Sequence, residues 1–320
     1  MKGKLGAFLR IFVSAGLMAL LLWLMRDEFG DIVGTISSGN QLMIAGAMLV
    51  FALTAVLLSI RQKIIFMGED LTLPLGKSVQ LTFLGYFFNN FMPTAVGGDI
   101  IKAHYASKLC RHKLKSYASV LMDRFLGLYT FLIIAGAALA VDRGKIGLQA
   151  VRPTVFALLL VGIAGFVVVT NRRVYLTLEK AIGRLKMFGL GDKLNSIYGI
   201  VHDYRNRYGI VGKSITVSII SQSVYFLVVY MFFRSLGSDM GLGNVFLVMP
   251  VVTFVSMIPS VGGLGVREGA IVALFSPLAG KETAFAVSLL LLCGLLFLSL
   301  IGGLIYLWWG FTGHIDKDEM

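Results

Sequence analysis

Residues 91–104 read FMPTAVGGDIIKAH, and residues 257–270 read MIPSVGGLGVREGA. In each, a proline and a glycine pair interrupt a long apolar run, and charge follows at once: Asp99, Lys102 and His104 in the first, Arg267 and Glu268 in the second. Proline ends a helix by removing a backbone donor, and glycine permits a tight turn and close backbone approach. The surrounding stretches, about 77–110 and 243–279, therefore divide into pairs of apolar pieces, each near 15 residues. At about 1.5 Å per residue such a piece reaches roughly 22 Å, short of a hydrocarbon core of roughly 30 Å. Two short pieces joined by a tight turn predict a re-entrant helical hairpin.

The rest of the chain is mostly apolar. Of 320 residues, 57% are hydrophobic and 14% charged, with mean hydropathy +0.83. Soluble domains carry roughly 25% charged residues, so the composition places the protein in lipid. Full spans are expected over about 5–25, 41–60, 116–140, 153–170, 213–233 and 283–309. The first of these follows Lys2 and Lys4 without a small-residue cleavage site, which predicts a retained anchor and not a removed signal. The fold class is then an all-α polytopic membrane protein with about six spans and two re-entrant hairpins. It reads as a single membrane domain over 1–320.

Charge sets the topology. A net charge of +12 in a soluble chain would suggest a nucleic-acid partner, but cytoplasmic loops of membrane proteins collect Lys and Arg, and none is expected here. A cytoplasmic N-terminus, with each hairpin entering and leaving on one side, puts 21 of the 29 cations inside and six outside. Arg124 and Arg267 remain in or near the membrane. The loop 141–152 is locally basic and runs against this orientation. The hairpins then open to opposite sides, and the halves, about 1–145 and 150–312, form an inverted repeat. The prolines lie 166 residues apart, while the glycines (98, 263) and cations (102, 267) lie 165 apart. Inverted repeats with broken helices near the midplane recur among transporters. The basic segment about 171–213 reads as amphipathic helix on the anionic leaflet, or as ordinary positive-inside loop.

A helix restarting after Gly97–Gly98 or Gly262–Gly263 presents backbone N–H groups and the positive end of its dipole, partners for an anion such as phosphate. Lys102 and Arg267 follow one turn on. A Pro-Gly-Gly turn also serves simply to link two helices, but its recurrence in opposite halves favours the anion reading. Asp123 and Arg124 lie in SYASVLMDRFLGLYTFLIIAG, inside an apolar span, where ionisable residues commonly face a cavity. Arg124 is the expected phosphate contact, with Asp123 as its partner or a proton acceptor; an interfacial anchor is the competing reading. Glu268 matches Asp123 in the second half, or is a first-turn carboxylate favoured by the helix dipole. Asn89 and Asn90 read as caps for freed backbone groups. His104, His112, His202 and His314 are dispersed, and Cys110 and Cys293 lack ligand spacing, so neither metal nor cofactor is expected.

FFNNFMPTAVGGDIIKAHYASK, VLMDRFLGLY and IPSVGGLGVREGA, in that order, resemble the lysylphosphatidylglycerol synthase transmembrane family, also described as flippase-like (UPF0104, YbhN-like). The resemblance covers essentially the whole chain. It implies lipid translocation, as in the membrane part of MprF proteins, with Asp99, Lys102, Asp123, Arg124, Arg267 and Glu268 on family motif positions. MprF proteins carry a soluble aminoacyl-transferase domain as well; here the sequence stops at Met320, just past the last span, so synthase activity is not expected.

The expected function is therefore non-enzymatic: movement of a phosphate-bearing lipid across a prokaryotic cytoplasmic membrane, with a separate lipid-modifying synthase as a possible partner. An integral-membrane enzyme acting on a lipid headgroup and a small organic-anion carrier are the alternatives.

Overall fold

The computed structural model describes residues 29–91, 97–141, 151–171, 204–258 and 263–311, with isolated positions between 173 and 202. The expected span 5–25, Pro93, Pro259, Gly262 and most of the basic segment 171–213 lie outside the described residues. Among those described, every regular element is helical. They are α1 (Phe29–Ser38), α2 (Gln41–Gly68), α3 (Leu75–Phe91), α4 (Gly97–Cys110), α5 (Lys113–Val141), α6 (Val151–Thr170), α7 (Tyr208–Ser235), α8 (Leu242–Val255), α9 (Val266–Ala279) and α10 (Lys281–Phe311).

Among the described residues, four helices are long and apolar enough to cross a membrane: α2, α5, α7 and α10. In contrast, α3 has 17 residues and α4, α8 and α9 have 14 each, below the roughly 20 a spanning helix needs. The sequence expectation closed the second span at residue 60. The helix instead runs to Gly68, carrying Arg61, Gln62 and Lys63 within it, because the apolar run IIFM resumes after the polar triplet. Asn40 starts this helix, its Oδ1 accepting the Met43 N–H at 3.0 Å. Asp70 closes it in the left-handed region, with φ 59°.

The chain divides into two compact units, each assembled from separate segments. The first comprises residues 1–56, 82–101 and 222–320. Its core holds Phe285 and Ala286 packed against Ile36, Leu236, Val272 and Leu289, with the Phe233 and Phe275 rings 4.9 Å apart. Small residues let α10 approach α3 closely, the usual solution where lipid gives helices no hydrophobic drive to associate. A Cβ on Gly302 would collide with the Phe83 carbonyl, and one on Gly303 would lie 2.9 Å from the Phe87 ring. Polar groups seal the contact. Asn90 Nδ2 donates to Ser299 Oγ, which donates to the Tyr86 carbonyl at 3.1 Å. Gly302→Ala should therefore lower stability by about 1–3 kcal/mol through overpacking, read as a fall in melting midpoint in detergent.

The second unit comprises residues 57–81 and 102–221. Ile65, Met122, Leu126 and Tyr204 form its core, with Phe125, Ile210, Val211 and Ile215 packed around them. The start of α3 is tied to α2 by Ser78 Oγ, which donates to the Ser59 carbonyl at 2.7 Å. This unit contains the densest buried charge among the described residues.

Candidate functional site

Two apolar helices place opposite charges face to face. Arg61 lies two turns before the end of α2, and Asp123 lies ten residues into α5, so both sit within candidate membrane spans. Arg61 Nε donates to Asp123 Oδ1 at 2.8 Å, a charge-assisted bond of ordinary length. Its Nη1 donates to Ser218 Oγ of α7 at 3.1 Å, so the guanidinium ties three helices together. Room for it comes from Gly127, one turn beyond Asp123: a Cβ there would stand 2.9 Å from Nη1. Lys102 of α4 reaches the other carboxylate oxygen, Nζ to Oδ2, at 3.5 Å. The three side chains are 8–10% exposed. Such charges are expensive in a low-dielectric interior and persist where they are paired or serve a ligand.

The two cations are not equivalent. Arg61 is locked by two hydrogen bonds, whereas Lys102 stands beyond the roughly 2.7–2.9 Å of a tight charge-assisted bond. Lys102 is thus the looser of the two partners of Asp123. Asp99 lies one turn earlier on α4 and is half-buried. Among the described residues, no three His, Cys, Asp or Glu side chains converge as metal ligands would.

Of the residues singled out in the sequence, Lys102 and Asp123 come together here. Arg124, expected to partner Asp123, is half-buried at the next helical position; the ion pairs shown for Asp123 run to Arg61 and Lys102. Arg61, Ser218 and Gly127 were not anticipated. The resumption of apolar residues after Arg61 was the available signal, since a charge flanked by apolar sequence on both sides sits inside a helix and not at its end.

At the first glycine turn one backbone donor is already taken. Gly97 and Gly98 open α4 and are buried. The Gly98 N–H donates to Asn89 Oδ1 at 2.9 Å, so this donor is capped from α3. A Cβ on Gly98 would strike the Gly85 carbonyl and lie 2.7 Å from Asn89 Cγ. Gly98→Ala should thus cost about 1–3 kcal/mol by breaking this close approach, measurable as a lowered melting midpoint.

At the second glycine turn, Gly263 and Gly265 adopt φ of 79°, the left-handed region that glycine occupies without strain. Glu268 Oε2 accepts the Gly265 N–H at 2.8 Å and so caps α9. Its Oε1 accepts Arg267 Nε at 3.0 Å and Arg267 Nη2 as well. Arg267 and Glu268 thus form a buried pair of sequence neighbours.

The all-helical fold, the long apolar helices and these buried charges describe a polytopic membrane protein. A family model described as the lysylphosphatidylglycerol synthase TM region matches residues 8–305, and the chain belongs to that family. It is similar to a UPF0104 membrane protein of Pyrococcus horikoshii, 23% identical over 94% of this chain and 96% of that protein. It is also similar to a UPF0104 membrane protein of Methanothermobacter thermautotrophicus, 22% identical over 83% of this chain and 84% of that one.

Proposed function

We propose that this protein moves a phosphate-bearing lipid, anionic or aminoacylated, between the leaflets of a prokaryotic cytoplasmic membrane. The carrying observation is the convergence of Arg61 and Lys102 on Asp123, with Arg61 and Asp123 inside helices apolar enough to span. Family membership adds a lipid context. In this reading Arg61 holds Asp123 and positions it, while Lys102 exchanges the carboxylate for a phosphate oxygen of the headgroup. The exchange replaces one charged partner by another, so the headgroup loses water without leaving a bare ion in a medium of low dielectric. Acyl tails remain in lipid throughout. The short helix pairs α3–α4 and α8–α9 act as re-entrant hairpins of opposite sense, in an inverted repeat with the N-terminus in the cytoplasm. Aminoacylated lipid, where it is the substrate, comes from a separate synthase.

Reconstitution tests this. Vesicles containing the protein should equilibrate labelled phosphatidylglycerol between leaflets faster than empty vesicles. Lys102→Gln should slow that movement by at least about tenfold, equivalent to about 1.4 kcal/mol, with its melting midpoint retained because the Arg61–Asp123 pair survives. No movement by the unaltered protein, or undiminished movement by Lys102→Gln, overturns the reading. Mass spectrometry of the same lipids would show an altered headgroup if the protein were an enzyme.

A further inference from the structure

A second charged cluster lies on the same helix pair. Glu69 follows the last residue of α2, its side chain only 5% exposed. Lys115 Nζ stands 3.8 Å from its Oε2, and Arg207 Nη2 stands 3.9 Å from its Oε1. Lys115 Nζ also donates to the Glu69 carbonyl at 3.0 Å. Both ion pairs are longer than a hydrogen bond, so neither cation is spent on the carboxylate. As at Asp123, two cations face one buried acid.

The two clusters are in register. Glu69 is eight residues beyond Arg61 on the α2 strand of chain, and Lys115 is eight residues before Asp123 on α5. Helices that run antiparallel thus repeat an acid–base pairing at about 12 Å, taking about 1.5 Å per residue. Between these levels the buried faces are hydroxyl-lined. Tyr204 Oη donates to the Ile65 carbonyl at 2.8 Å, and Ser119 Oγ lies 3.3 Å from Tyr204 Oη. Burial pushes the Tyr204 hydroxyl above the ordinary phenol range, so it stays protonated. Ser116 lies one turn before Ser119, and Ser214 one turn before Ser218, the residue bonded by Arg61. Both serines are fully buried, and neither hydroxyl has a hydrogen-bonding partner among the described residues. Buried polar atoms of that kind mark internal water or the passage of a polar ligand, since leaving them dry is costly.

We propose that Glu69, Lys115 and Arg207 form a second station for an anionic phosphate group, joined to the Arg61–Lys102–Asp123 site by a hydrated track along Ser116, Ser119, Ser214 and Tyr204. The proposal rests on the lipid-phosphate reading above and extends it: the headgroup passes between two cation pairs about 12 Å apart. A dry track would present a single high barrier, whereas two stations divide the distance.

Cysteine accessibility tests it independently of transport. Ser116→Cys and Ser214→Cys are made separately in a Cys110→Ser, Cys293→Ala background and exposed to an anionic, water-soluble methanethiosulfonate. Both should be labelled in folded protein, and added phosphatidylglycerol should slow labelling at least about tenfold. Lys115→Gln combined with Arg207→Gln should remove that protection, while Lys115→Arg should keep it. Protection by inorganic phosphate as well would support the station with a free anion as its ligand. Absence of labelling at both positions overturns the track; labelling that neither phosphatidylglycerol nor inorganic phosphate slows overturns the station. If labelling and protection hold while the unaltered protein moves no lipid, the station stands and the transport reading falls.

Discussion

Arg61→Ala should lower stability by about 3–5 kcal/mol, the range seen when one member of a buried ion pair is removed and its partner left behind. The loss arises mainly from Asp123. With Arg61 gone, its carboxylate keeps Lys102 at 3.5 Å, while Oδ1 loses its 2.8 Å donor and Ser218 loses its own. Removing both charges should be milder. Arg61→Ala with Asp123→Ala leaves no bare carboxylate, and part of the loss should return as a coupling energy in a double-mutant cycle. Arg61→Lys should not restore the wild-type melting midpoint, because an ammonium cannot present Nε and Nη1 donors to α5 and α7 in a fixed fork. Melting midpoints in detergent of wild type, Arg61→Ala, Asp123→Ala, the double variant and Arg61→Lys check this. Losses of the two single alanine variants that simply add in the double variant would show that the pair is not coupled.

Glu268→Ala should be comparably severe, at about 3–5 kcal/mol, and for two reasons. It strands the Arg267 guanidinium, which is 9% exposed, and it uncaps the Gly265 N–H at the start of α9. Glu268→Gln separates the two effects. A neutral amide oxygen can still accept from Gly265, where a cap is worth about 1 kcal/mol, but it cannot pair with Arg267 as a charge. The glutamine variant should therefore fall between wild type and alanine. This order assigns Glu268 to holding the turn together, and a glutamine variant as stable as wild type would contradict it.

How much of this was legible in the sequence differs by feature. Long apolar runs located α2, α5, α7 and α10, and the Pro-Gly-Gly elements fall between helices too short to span. The order of three motifs pointed to the family that residues 8–305 match. Local bonds could be read as well. Glu268 capping Gly265 spans three positions, and Asn89 reads as a cap from its place before the turn. The pairing of Arg61 with Asp123 was not legible, because it joins residues 62 positions apart and depends on how α2 and α5 align. A span that ends at the first charge after an apolar run leaves Arg61 outside it, whereas the helix continues to Gly68. The neighbour Arg124 was then the natural partner to assume for Asp123, although adjacent residues on a helix point about 100° apart.

The hydrogen at position 127 has a consequence for redesign. Because the Arg61 guanidinium rests where a methyl group would otherwise project, charge at one position and emptiness at the other are a single decision shared by two helices. Filling the notch alone pushes the guanidinium aside, and shortening the arginine alone leaves a hole. A neutral version of this interior is reached only by changing them together with the other charges they hold, as in Gly127→Ala and Arg61→Met with Asp123→Asn and Lys102→Met.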